Sequence, residues 1–424
     1  MGSIQRKREG GSQVLRYVKI TFLFLVVLLG GCWDRTEIEE VALVIAIGLD
    51  KGENGSVKVT YQIANPVVGS NLATGDVTAS EVITLHSADI VSARDLANIS
   101  ISRTLSFAHA KSIIVSQELA RSDEFLPIIT AAIRDRHVRR ELHFIVSKES
   151  AEQFIREENL TLEVRPHKFY DLMARRWEET GLTPYSTLSR FYSITENDGD
   201  LFLAISATRG TEETKITADN DDYYAGEVEK RSSNQIQMIG SVVFKKGKII
   251  GELTGEETRL ALWLRPEERA DMMLITLEDP EDPNKKVTVK VFKREKTNIT
   301  IDTSHDVPKI HVSVPLLVEV LGIHSNTNYV TNLDQQSRLK EAFQAELEEK
   351  VNQLISYTQN DLKGDPFLWS LRARRNFVTV DQFKDYQWME KYEQADIHVS
   401  FDLTFKDFGQ KLHPSKVEKI KGEG

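Results

Sequence analysis

The apolar positions of this chain change period several times, and each change marks an element. Val41 to Asp50, VALVIAIGLD, is continuously apolar and predicts a buried strand. The Gly-Glu-Asn-Gly turn in GENGSVKVTYQIAN follows, and then Val57, Val59, Tyr61 and Ile63 alternate with period two, so the two segments predict a hairpin. EVITLHS predicts a third strand after a loop over residues 66–80. From Ser87 the period becomes helical: Ile90, Ala93, Ala97, Ile101 and Leu105 predict one amphipathic helix. The strands AKSIIVS and ELHFIVS then alternate with helices around Phe125–Ile133 and in SAEQFIREE. Helical pieces from Phe169 and the strand LFLAISA complete a region with helices packed on a mixed sheet.

Residues 208–235 are polar and aperiodic, which predicts a linker. Beyond them, IQMIGSVVFKKGKIIGEL predicts two strands around a turn at Lys246-Gly247, and TGEETRLALWLRP a short helix that Pro266 stops. KKVTVKVFKRE, NITIDTS and KIHVSVPLLVEVLGI predict long strands. A helix is expected from about Asn332 to Leu362, and ADIHVSFDLTF is a late strand. The expected fold is a multi-domain α+β protein, with an N-terminal mixed-sheet α/β domain and a C-terminal antiparallel sheet covered by a long helix. Its expected parts are a signal over 1–31, the α/β domain over 32–207 and a linker over 208–235. A small middle subdomain over 236–283, the C-terminal domain over 284–410 and a basic tail over 411–424 complete it.

The first 31 residues carry Arg6, Lys7, Arg8, Arg16 and Lys19 against Glu9, a net +4, so a whole-chain charge of −10 leaves −14 for the remainder. An acidic body repels nucleic-acid phosphates, and no nucleic-acid partner is expected. The basic start, the apolar run Ile20–Leu29 and Gly30-Gly31 before Cys32 form the layout of an export signal. The run is too short for a spanning helix, which needs about 20 apolar residues. LGGC resembles a lipobox, which makes Gly31-Cys32 the cleavage point and Cys32 the site of a diacylglyceryl and acyl (palmitate-type) anchor. The competing reading is an uncleaved signal anchor with an incidental cysteine. Cys32 is the single cysteine, which excludes an internal disulfide.

Catalytic signatures are mostly missing: the sequence holds no G-x-S-x-G, phosphate-loop, G-x-G-x-x-G or H-E-x-x-H pattern. No catalytic residue, metal ligand or cofactor is expected, and ligand-binding residues stay unassigned. The pairs His137/His143 and His305/His311 have no third ligand at a recognisable spacing. ENDGD (Glu196–Asp200) and DNDD (Asp219–Asp222) do not follow a calcium loop and are expected to be solvated turns. His109 is expected to be structural. The basic runs RDRHVRR (Arg134–Arg140) and LRARR (Leu371–Arg375) are expected to be solvated faces or docking surfaces.

Four stretches together carry a resemblance. GCWDRTEIEEVALVIAIGLD, RTLSFAHAKSIIVSQELAR, GSVVFKKGKIIGELTGEET and DPFLWSLR behind the long helix resemble, in order, the Ger(x)C family of spore germination lipoproteins. RDRHVRREL is more basic than that family's usual pattern. The resemblance implies a non-enzymatic subunit of a nutrient germinant receptor, lipid-anchored at Cys32 on the extracytoplasmic face of the spore inner membrane. It implies integral membrane partners, the A- and B-type subunits. Two alternatives belong to other classes: a lipid-anchored solute-binding protein of a transporter, which would need two similar lobes around a cleft, and an exported enzyme, which would need convergent titratable groups.

Overall fold

The computed structural model describes residues 17–22, 40–65, 80–156, 166–197, 199–210, 222–232, 234–266, 270–293, 295–325 and 327–408. The first hairpin forms because Asn54 and Gly55 take positive φ between β1 (Val41–Lys51) and β2 (Val57–Ala64), which pair antiparallel. β3 (Ser80–Ser87) adds to β2. The helix expected from Ser87 runs over Ile90–Ser100 and stops there. Leu105 lies instead on the short strand β4 (Thr104–Ser106), which pairs parallel with the start of β1.

β5 (Ser112–Ser116), β6 (His143–Ser147) and β7 (Phe202–Thr208) continue the sheet, each parallel to its predecessor from β1 onwards. β8 (Gln237–Lys245) and β9 (Lys248–Leu253) complete nine strands in the order β3-β2-β1-β5-β6-β7-β8-β9, with β4 beside β1. Their turn is at Lys246-Gly247, both with positive φ. One face is covered by helices Ile90–Ser100, Phe125–Arg134 and Leu188–Asn197, the other by Ala151–Arg156 and Pro166–Thr180. Phe125, Phe144, Phe191, Phe202 and Phe244 pack together on the first face, with Phe144 stacked on Phe191 at 4.9 Å.

The second sheet holds β10 (Ala270–Asp279), β11 (Asp282–Lys293), β12 (Asn298–Asp302), β13 (Lys309–Ile323) and β14 (Asp396–Asp407). Residues 236–283 therefore divide between the two sheets, because β8 and β9 hydrogen-bond to β7 while β10 bonds to β11. The second sheet is antiparallel except at β14, which pairs parallel with β13. The helix Leu333–Asn360 crosses it, burying Leu339, Phe343, Leu347, Val351 and Leu354. Part of the polar segment is packed: Tyr223 and Ala225 are buried against Ile239.

Candidate functional site at the junction of the two sheets

The motifs singled out in the sequence have structural work that can be read residue by residue. In VALVIAIGLD, a Cβ on Gly48 would lie 2.9 Å from Ile155 Cδ1, so glycine lets the helix Ala151–Arg156 approach the sheet. Two residues on, the buried Asp50 carboxylate accepts hydrogen bonds from Ala151 N (2.6 Å) and Glu152 N (2.9 Å) at that helix's start. Burial raises the pKa of Asp50, opposed by these donors and by Lys58. In SFAHAK, Phe107 is buried beneath the Arg94 guanidinium, Lys111 N bonds Ile45 O (2.7 Å), and Lys111 Nζ pairs with Asp171 (2.9 Å). His109 is exposed on the intervening turn.

The helix Gly255–Leu264 joins the sheets. Thr254 and Glu257 form its capping box, and Gly240 is held at φ +80°, where a Cβ would meet Leu253 O at 2.4 Å. Its C-terminal carbonyls are closed by side chains from elsewhere. The buried Lys293 ammonium donates to Trp263 O (2.8 Å) and Arg265 O (3.0 Å), Thr297 Oγ1 to Trp263 O (2.6 Å), and Trp369 Nε1 to Leu264 O (2.9 Å). A cation at this end also meets the negative pole of the helix.

DPFLWSLR closes the junction. Asp365 O accepts Leu201 N (2.7 Å), which ties the motif to the residue leading into β7. The Asp365 carboxylate accepts Phe367 N (2.8 Å), Ser370 N (3.1 Å) and Trp388 Nε1 (3.1 Å). Ser370 Oγ donates to Asp200 Oδ2, and Arg265 Nε to Pro366 O (3.0 Å). Asp200 was expected in a solvated turn; it is buried instead, linked to Asp365 through Ser370, whose hydroxyl it accepts while Ser370 N donates to Asp365. Burial and the neighbouring Asp365 carboxylate push the Asp200 pKa well up. Asp365 is better supplied with donors than Asp200, whose Oδ1 has no hydrogen-bond partner, so of the two carboxyl groups Asp200 is raised further. Leu368, between Asp365 and Ser370 in the motif, has φ +60°, a conformation costly for a branched side chain.

Beside this pair lies a cleft of about 530 Å³ between the halves, lined by Tyr185, Arg190, Asp200, Arg265, Leu368 and Arg372. Arg190 stacks on Tyr185 at 5.2 Å. The enclosed Asp365 spends its acceptors on backbone and indole donors, so the carboxyl pair is built to hold the junction.

Cys32 and Gly31 lie outside the described residues, as do Asp219–Asp221. The histidine pairs do not converge. His143 is half-buried edge-on to Trp177 (5.1 Å), its pKa lowered by burial, while His137 is exposed. His311 faces His398, and His305 faces Asp302. No group of three or more metal-ligating side chains occurs among the described residues, and among them no helix is long and apolar enough to cross a membrane.

Comparison with known proteins fits this two-part body. Residues 34–207 match the family described as "Spore germination protein N-terminal domain", and residues 239–409 match "Spore germination B3/ GerAC like, C-terminal". The chain belongs to the Ger(x)C family. It aligns over most of its length with two Bacillus subtilis (strain 168) relatives. It is 24% identical over 397 residues to "Putative spore germination protein YfkR", covering 91% of this chain and 95% of that one. It is 23% identical over 389 residues to "Spore germination protein B3", covering 90% and 95%. A solved structure, "Crystal Structure of the GerBC protein", superposes with a TM-score of 0.50 at 19% identity, covering 86% of this chain and 97% of that one, and so shares the fold.

Proposed function

We propose that this Ger(x)C protein is a lipid-anchored subunit of a spore germinant receptor, acting in receptor assembly or signal coupling when nutrients trigger germination. Full-length similarity to spore germination proteins, with both family domains in order, is the observation that carries the reading. LGGC at Leu29–Cys32 supports cleavage after Gly31 and diacylglyceryl attachment at Cys32. The setting is the extracytoplasmic face of the spore inner membrane, with integral membrane A- and B-type subunits as partners. Such a role requires no catalysis, and the junction supports it physically. Donors from both halves converge on Asp365, so a load on one sheet reaches the other through fixed hydrogen bonds. A nutrient-binding protein with paired lobes is disfavoured by the unlike nine- and five-stranded sheets.

Cys32→Ala tests the anchor: the precursor is expected to stay unacylated and the germination response to weaken. Normal acylation of that variant contradicts the assignment. Deleting the gene is expected to impair germination with particular nutrients while uptake during growth stays intact; lost uptake would favour the transporter reading.

A further inference from the structure

β1, β5, β6 and β7 are parallel, so the segments leading into them gather on one edge of the first sheet. That topology brings together two arginine runs far apart in sequence. Arg134, Arg136, Arg139 and Arg140 are exposed on the segment that leads into β6, and Arg139 bonds Ala108 O on the turn before β5. Arg372 and Arg375 line the cleft holding Asp200, two residues before β7, with Arg374 exposed beside them. The helix Leu188–Asn197 links the runs: Arg134 and Arg140 act on the hydroxyl of its Tyr192, and its Arg190 lines the cleft. None of the seven arginines of the two runs has a carboxylate partner among the described residues. The acids on this edge include exposed Glu40, Glu81, Glu141 and Glu196, Asp135, which is paired with Arg94, and the buried Asp200.

Two further features share the edge. Exposed aliphatic side chains accompany the arginines: Ile99 is 81% exposed beside the start of β1, and Val378, just past the second run, is 92% exposed. The chain also enters β1 here, at Glu40, eight residues after Cys32. Eight residues reach at most on the order of 28 Å. The opposite edge differs: Glu152 there is paired with both Lys58 and Arg156, and Glu149 bonds Thr208 and Arg209 N.

We infer that the arginine edge of the first sheet rests on an anionic membrane surface, its guanidinium groups on lipid phosphates and its aliphatic side chains at the headgroup boundary. Guanidinium groups match phosphate oxygens in charge and geometry. The acidic remainder of the body does not oppose this contact, because charges more than about 10 Å from the surface are screened at ordinary salt. It is instead repelled in other orientations, which makes the arginine edge the one that faces lipid. The orientation rests on the reading of Cys32 as the anchor, whereas the charge complementarity does not.

The test is flotation of the full chain with vesicles of phosphatidylcholine alone and of phosphatidylcholine with phosphatidylglycerol, at low and high salt. The expected result is retention on both, with at least about tenfold tighter binding to the anionic vesicles. That preference is expected to vanish at 0.5 M salt, roughly where the Debye length falls to a few ångströms. It is also expected to vanish in R372E/R374E/R375E and in R136E/R139E/R140E, while Lys58→Glu on the opposite edge keeps it. Circular dichroism of each variant shows that folding is intact. Equal binding to the two lipid compositions, or a preference that survives both triple reversals, overturns the membrane as occupant and leaves an acidic protein surface. An intact anionic preference with no retention on neutral vesicles upholds the edge and removes only the anchor.

Discussion

Two buried carboxylate sites in this protein meet the same desolvation cost in different ways. Asp50, inside the first sheet, is served by two amides of one short helix and by nearby Lys58. Asp365 stands at the junction, where it receives amides of its own motif and the Trp388 indole. Its second neighbour is another carboxyl group, Asp200, and Ser370 bonds both, its amide to Asp365 and its hydroxyl to Asp200. Asp50 therefore stabilises one contact within one layer. The Asp200–Asp365 pair makes the fit of two layers depend on a protonation state.

The largest expected effect separates the sites directly. Asp365→Ala leaves three buried donors, Phe367 N, Ser370 N and Trp388 Nε1, unmatched and is expected to cost about 3–5 kcal/mol, whereas Asp50→Ala is expected to cost about 1–3 kcal/mol. Urea unfolding measures both, and the reverse order would break the distinction. Gly48→Ala forces the helix Ala151–Arg156 off the sheet and is expected to cost about 1–3 kcal/mol by overpacking. Hydrogen exchange should show that loss around Asp50 while the junction amides of Phe367 and Ser370 stay protected.

Acidity gives a third contrast. The Asp200 pKa is raised in the folded state, so its contribution is present below the unfolded value of 3.8 and is lost as pH rises through the folded value. Raising the pH through the folded value is thus expected to weaken the junction by up to about 1.4 kcal/mol per pH unit for the one proton. Asp200→Asn, which keeps a neutral donor, is expected to flatten that slope; an unchanged slope places the proton elsewhere. The smallest effect is expected from Thr254→Ala, which opens the capping box of the joining helix for about 1 kcal/mol, read as a lower Tm.

The sequence made the periodic parts legible. Alternation around Asn54-Gly55 and Lys246-Gly247 located both hairpins, because a turn with two positive φ values restricts residue choice locally. The long helix was equally plain from its apolar stripe. β10 was missed because its edge of acidic residues and Pro280 hides the alternation of Met273, Ile275 and Leu277. The parallel pairing of β14 with β13 was not legible either, since alternation fixes which face is buried and not strand direction. The junction was hidden most deeply. Asp200 looked like one more surface acid, and its partner Ser370 is 170 residues away. DPFLWSLR offered the one available signal, an aspartate and a serine bracketing a buried indole. The two basic runs were visible as charge, but the parallel order of four strands is what places them on one edge.

The most direct test of the central claim is purification of the tagged full chain from detergent-solubilised spore membranes, followed by identification of its stable companions. The account expects two polytopic germination subunits in fixed ratio with the chain, retained through size-exclusion chromatography. Recovery of the chain with a transport permease, or alone under conditions that keep other membrane complexes intact, would contradict it.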